Sequence, residues 1–96
     1  MSIRHVVLFE HKNAEEARIR RIIDALNALP AQIDWIREWS IAEDLDHRPG
    51  SCCFCLIAVF DDMDAMSRYL DHPAHRAGVA IGSDFLDKLA EHDHTF

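Results

Sequence analysis

The sequence predicts one α+β domain over residues 1–96, with element order βαββαβ and helices laid over one face of a four-stranded sheet. Three observations carry this reading. Residues 3–9 and 52–60 are runs of β-branched and apolar side chains of strand length. Each run is followed by a stretch whose apolar residues recur at helical spacing. A polar segment, Asp46, His47, Arg48, Pro49 and Gly50, turns the chain back into residues 52–60, as a hairpin between the second and third strands requires.

In the first strand the odd positions Ile3, His5, Val7 and Phe9 share one face, with His5 as its polar member. Asn13 followed by Glu16 is a capping-box-like helix start, and Ile19, Ile22, Ile23 and Leu26 repeat at helical spacing up to a stop at Leu29-Pro30. Residues 34–43 read as the second strand, with Trp35, Trp39 and Ile41 alternating imperfectly with Arg37, Glu38 and Ser40. Asp61 or Asp62 caps the next helix, whose stripe is Met63, Met66 and Leu70. His72-Pro73 ends it, because proline disfavours an α conformation in the residue before it. Pro73 then opens a short turn, and residues 89–96 form the fourth strand. Helical crossovers on either side of a hairpin make the split βαβ arrangement, with the first strand between the third and fourth. The sheet face away from the helices carries Val6, Leu8, Cys53, Cys55, Ile57 and Val59, and a second copy of the chain is its expected cover.

Composition points the same way. A domain this small buries only about two-thirds of its unfolded surface. Its three cysteines, Cys52, Cys53 and Cys55, supply no disulfide framework, so a homodimer is the expected source of further burial. A formal charge of −7 leaves no basic stripe for nucleic acid. The first residues enter an amphipathic strand without a signal-type apolar core, and no apolar run approaches the roughly 18 residues of a membrane span, so the expected location is the cytoplasm, with no membrane partner.

The opening Ile3-Arg4-His5-Val6-Val7-Leu8-Phe9, the strand end Val59-Phe60-Asp61 and above all Tyr69-Leu70-Asp71-His72-Pro73-Ala74-His75 resemble the stress-responsive A/B barrel (Dabb) domains. The likeness spans nearly the whole chain. Ile36-Arg37-Glu38-Trp39 resembles the family's lead-in to its second strand, with Ala42 in place of a customary glycine. The resemblance implies a ferredoxin-like fold and a dimeric α/β barrel made by two sheets. It implies less about activity. The family includes olivetolic acid cyclase, a plant polyketide cyclase that closes a ring by an aldol-type reaction, together with heat-stable plant stress proteins and many members with no known reaction. The cyclase's catalytic tyrosine and histidine correspond to Tyr69 and His75, and a pocket histidine corresponds to His5.

The expected function is therefore that of an acid–base pocket, a cyclase, lyase or isomerase acting on a small apolar, polyketide-like carbonyl compound. The alternative is a non-catalytic ligand-binding or stress-related oligomer. Tyr69 ends one helix and His75 lies just beyond the Pro73 break, so the two project toward one space. A neutral imidazole takes a proton near physiological pH and a phenol donates to a carbonyl that becomes an enolate, and positioned proton transfer typically contributes about 10²–10⁴-fold. In the plainer alternative Tyr69 is a partly buried helix residue and His75 caps backbone groups. The expected pocket lining is Val7, Phe9, Ile22, Ile23, Trp39, Leu56, Leu86, Leu89 and Glu91, unless Trp39, Phe54 and Phe85 fill the space. Strict alternation puts Glu91 beside Leu89 under the helices, where its carboxylate approaches and orients His5, whereas a strand beginning one residue later leaves it in water.

No cofactor and no metal is implied. His72 and His75 are separated by a proline that spoils a regular helix, and His92 with His94 makes only a pair, short of the three or four ligands zinc requires. The thiols read as small hydrophobes without an electropositive neighbour to activate them. A haem- or oxygen-using monooxygenase of similar barrel shape has no distinctive signal in this sequence.

Overall fold

Strand β1 (Ile3–His11) holds the middle of the sheet because it pairs with a neighbour on each side. The computed structural model describes residues 1–12, 14–46 and 48–96. It orders β1 with β2 (Glu38–Glu43), β3 (Phe54–Phe60) and β4 (Leu86–Thr95) as β2-β3-β1-β4, every pair antiparallel. Helices α1 (Glu16–Asn27) and α2 (Leu29–Gln32) fill the first crossover, and α3 (Met63–Asp71) and α4 (Pro73–Ile81) fill the second. This is the ferredoxin-like arrangement.

The register fixes the two faces. His5 stands opposite Ala58 and Asp93, and Val7 opposite Leu56 and Glu91, so these residues share the helix-covered side. Ile22, Leu26, Leu29, Met66 and Tyr69 close over it. On the other side Val6, Leu8, Cys53, Cys55 and Ile57 remain half-exposed. Val59 differs, being only 4% exposed, with Arg4 and Glu38 flanking it in register.

Several boundaries depart from the sequence reading. Pro30 does not stop helical structure. It sits in the first turn of α2, where its missing N–H costs nothing. Pro73 likewise opens a nine-residue helix rather than a short turn. Trp35 precedes β2 instead of belonging to it, and its indole N–H donates to the Ala65 carbonyl at 3.0 Å. Strand β4 begins at Leu86, and its pairing jumps from Leu8 opposite Ala90 to Phe9 opposite Lys88. Leu89 is therefore the extra residue of a β-bulge, which re-aims the side chains before it. The expected cap at Asn13 lies outside the described residues. At α3 the cap is Asp62, whose carboxylate accepts the Ala65 N–H at 2.8 Å. Among the described residues, no helix is long and apolar enough to cross a membrane.

Candidate active site

Tyr69 reaches the sheet because α3 buries one stripe, Ala65, Met66 and Tyr69. It is 1% exposed. Its ring lies 4.9 Å from Phe60, 6.1 Å from Trp39 and 6.2 Å from His5, measured between centroids. Burial pushes the phenol's pKa well above its ordinary value, so Tyr69 stays a protonated phenol, with a proton to donate, near neutral pH.

Directly after α3 the chain turns at His72, whose backbone is extended and whose Nδ1 accepts the Ala74 N–H at 3.0 Å, capping α4 with Pro73 in its first turn. The turn brings His75 back against α3, 4.6 Å from the Tyr69 ring. His75 Nδ1–H donates to the Leu70 carbonyl at 3.1 Å, one of the carbonyls that a helix end leaves without an internal partner. A carbonyl only accepts, so Nδ1 carries the proton and Nε2 keeps the lone pair. Burial lowers the His75 pKa below the ordinary imidazole value. The Leu70 carbonyl opposes this, and the positive fields of His5, Arg76 and His72 add to it. The backbone-capping and chemical readings of His75 thus use different nitrogens of one ring.

His5 completes the group from β1, only 3% exposed. Its Nδ1–H donates to Asp93 Oδ1 at 2.5 Å, across the strand pair. The carboxylate only accepts, which fixes the ring's orientation and leaves Nε2 as the other nitrogen.

His5, Tyr69 and His75 line a cavity of about 290 Å³ together with Val7, Phe9, Ile22, Leu26, Leu70, Val79, Gly82, Ser83, Leu86, Lys88 and Glu91. Gly82 matters for its shape, because a Cβ there would lie 3.1 Å from Ile22 Cγ1 and 3.2 Å from Leu86 Cβ. A second, more open hollow of about 290 Å³ lies beside the β2–β3 connection, bordered by Glu43, Asp44, Cys52 and Cys55. Burial raises the Cys55 pKa, the opposite of what an activated thiolate needs.

Of the expected lining, Val7, Phe9, Ile22, Leu86 and Glu91 border the cavity. Leu56 is a core residue and Ile23 packs against the core. Trp39 stands behind Tyr69, its indole N–H held by Asn27 at 2.9 Å. Leu89 is ejected by the bulge and is 49% exposed. Phe54 and Phe85 are buried outside the lining, leaving the space unfilled by them. Glu91 faces the cavity, but its carboxylate receives Lys88 Nζ at 2.6 Å, and the carboxylate at His5 is Asp93. Sequence reasoning missed Asp93, Lys88, Leu26, Leu70, Val79, Gly82 and Ser83. Asp93 had a usable signal, since it shares a face with Glu91 two residues away.

Among the described residues, no three His, Cys, Asp or Glu side chains gather around a metal-sized space. The His92 and His94 rings lie 5.1 Å apart, and Arg4 donates to His94 Nε2 at 3.2 Å.

Residues 3–96 match the family model of the stress-responsive A/B barrel domain. A Streptomyces coelicolor protein without an assigned function is 41% identical over 86 residues, covering 86% of this chain and 89% of that protein. A dimeric ferredoxin-like protein of unknown function from Thermobifida fusca superposes with a TM-score of 0.88 at 32% identity, over 100% of this chain and 92% of the other. The hydroxynitrile lyase of Passiflora edulis shares the fold at 17% identity, with a TM-score of 0.85 over 99% and 96% of the two chains. The chain belongs to the stress-responsive A/B barrel family.

Proposed function

We propose that this member of the stress-responsive A/B barrel family is an acid–base catalyst of the cyclase, lyase or isomerase type, acting as a homodimer on a small, largely apolar carbonyl compound. The supporting observation is the convergence of a neutral His75, a protonated Tyr69 and an anchored His5 on one cavity with mostly apolar walls. At about 290 Å³ it falls just below the usual span of small-molecule sites, roughly 300 to 1,000 Å³, and so suits a small ligand.

In this reading the substrate carbonyl accepts a hydrogen bond from the Tyr69 hydroxyl while His75 Nε2 removes a proton from the adjacent carbon. Charge moves onto the carbonyl oxygen, where the phenol stabilises the enolate and, with its raised pKa, keeps its own proton. The lowered pKa of His75 keeps the base in its reactive, neutral form. The enolate then attacks a second carbonyl, whose alkoxide takes the proton from the imidazolium, or expels a β-leaving group that takes it, or, where a β,γ double bond extends it to a dienolate, is reprotonated at the γ-carbon by the imidazolium. Those three fates distinguish cyclase, lyase and isomerase. His5, oriented by Asp93, positions the carbonyl end.

Exchange of the α-hydrogens of methyl hexyl ketone in deuterated water, followed by NMR, tests this. Wild-type protein is expected to accelerate exchange, and folded Tyr69→Phe and His75→Gln variants to lose about 10²-fold or more of that acceleration. Binding without any acceleration would favour the ligand-binding alternative.

The homodimer rests on the half-exposed apolar face of Val6, Leu8 and Ile57, and the Thermobifida relative is itself dimeric. Ile57→Asp would bury an unpaired charge there and is expected to yield monomer or unfolded chain by light scattering. A stable wild-type monomer at micromolar concentration would exclude this part of the reading. The free thiols Cys52, Cys53 and Cys55 suit a reducing compartment, in keeping with a cytoplasmic protein.

A further inference from the structure

The cavity runs along β1, and its two ends differ in chemistry. At one end lie His5, Tyr69 and His75. Two and four residues further along the strand, on the order of 7 and 13 Å at 3.3 Å per residue, Val7 stands opposite Glu91 and Phe9 opposite Lys88. Here Lys88 Nζ meets Glu91 Oε2 at 2.6 Å, and both side chains border the cavity.

That contact exists because of the bulge. In an unbroken strand, residues three apart point to opposite faces, so Lys88 would leave the cavity and Leu89 would enter it. The extra residue at Leu89 reverses this, bringing Lys88 onto the cavity wall beside Glu91, which faces the cavity in either case, and turning the half-exposed Leu89 away. The bulge thus sets a cation where strict alternation would set a leucine, and completes an ion pair on the wall.

We propose that Lys88 and Glu91 are specificity-determining residues, selecting an elongated substrate whose end remote from the reacting carbonyl carries a neutral hydroxyl. The ammonium only donates and the carboxylate only accepts, so a hydroxyl accepts from Lys88 and donates to Glu91 at once. A bare alkyl end desolvates both charges without replacing their hydrogen bonds. A carboxylate or ammonium on the ligand meets one like charge of the pair. Lys88 and Glu91 are 55% and 42% exposed, so the discrimination is of the half-solvated kind, about tenfold rather than thousands.

This inference rests on the acid–base reading of the same cavity, and the test separates the two. Methyl hexyl ketone and its terminal-hydroxy analogue are titrated into wild-type protein and into the Lys88→Met/Glu91→Leu double variant, with affinity from calorimetry and binding position from the imidazole and Tyr69 NMR signals. The wild type is expected to prefer the hydroxy ketone about tenfold, and the double variant to lose or reverse that preference while both ketones still perturb His75 and Tyr69. Equal wild-type affinities, or a preference that survives the double substitution, would overturn this proposal and leave the acid–base reading standing. Failure of both ketones to perturb His75 and Tyr69 would overturn both.

Discussion

The helical wall and the strand wall of the cavity are built from different kinds of information. On the helical side, Tyr69 and His75 meet because proline at residue 73 forbids one continuous helix and His72 caps the next. Every cause lies within a few residues of its effect. On the strand side, Asp93, Glu91 and Lys88 take their places from pairing with β1, nearly the whole chain away, and from one bulge in that pairing. On the helical side Tyr69 is buried and His75 half-buried, whereas on the strand side Lys88 and Glu91 are charged and about half in solvent. The first suits chemistry and the second selection.

Stability should follow that division. Tyr69→Ala removes a ring that is 1% exposed and touches Phe60, Trp39 and His75. It is expected to cost about 3–5 kcal/mol in urea unfolding, whereas Lys88→Met should stay within about 0.5 kcal/mol. Comparable losses at both positions would erase the contrast.

A smaller effect is expected where α4 hands over to β4. Gly82→Ala sets a methyl against Ile22 and Leu86, at an expected cost of about 1–3 kcal/mol from overpacking. An unchanged unfolding midpoint would mean that the turn yields and the cavity floor is soft.

The strand wall can be dissected without changing stability much. The His5 Nδ1–H held by Asp93 should give a slowly exchanging, downfield proton resonance. Asp93→Asn is expected to weaken or remove it, and Glu91→Gln to leave it in place, since Glu91 is engaged by Lys88. The reverse result would move the orienting carboxylate to Glu91.

What could be read in the sequence divides along the same line. Residues 69–75 display their geometry locally, so the meeting of Tyr69 and His75 follows from a proline and helical spacing. The odd face of β1 was equally plain from alternation. Strand β4 was not, because a bulge has no local residue signature and strict alternation sends Leu89 inward and Lys88 outward. The same alternation carried Glu91 correctly to the cavity side yet missed that Asp93, not Glu91, sits opposite His5, since that depends on register. Ile23, Trp39 and Leu56 were named for the lining because they are apolar and face the right layer, but packing used them to support the walls instead.

The assignment of His75 as the base is the centre of the account, and its titration tests it most directly. Burial lowers its pKa, so the folded protein favours the neutral ring. The associated stabilisation is complete above the unfolded value of about 6.5. It is lost as pH falls from there through the folded value. The decisive experiment compares the His75 midpoint from imidazole NMR with the acidic limb of the ketone-exchange rate. The account predicts that both midpoints coincide below 6.5, with exchange falling as His75 protonates. A rate indifferent to pH across the measured His75 titration would show that another group, or none, removes the proton.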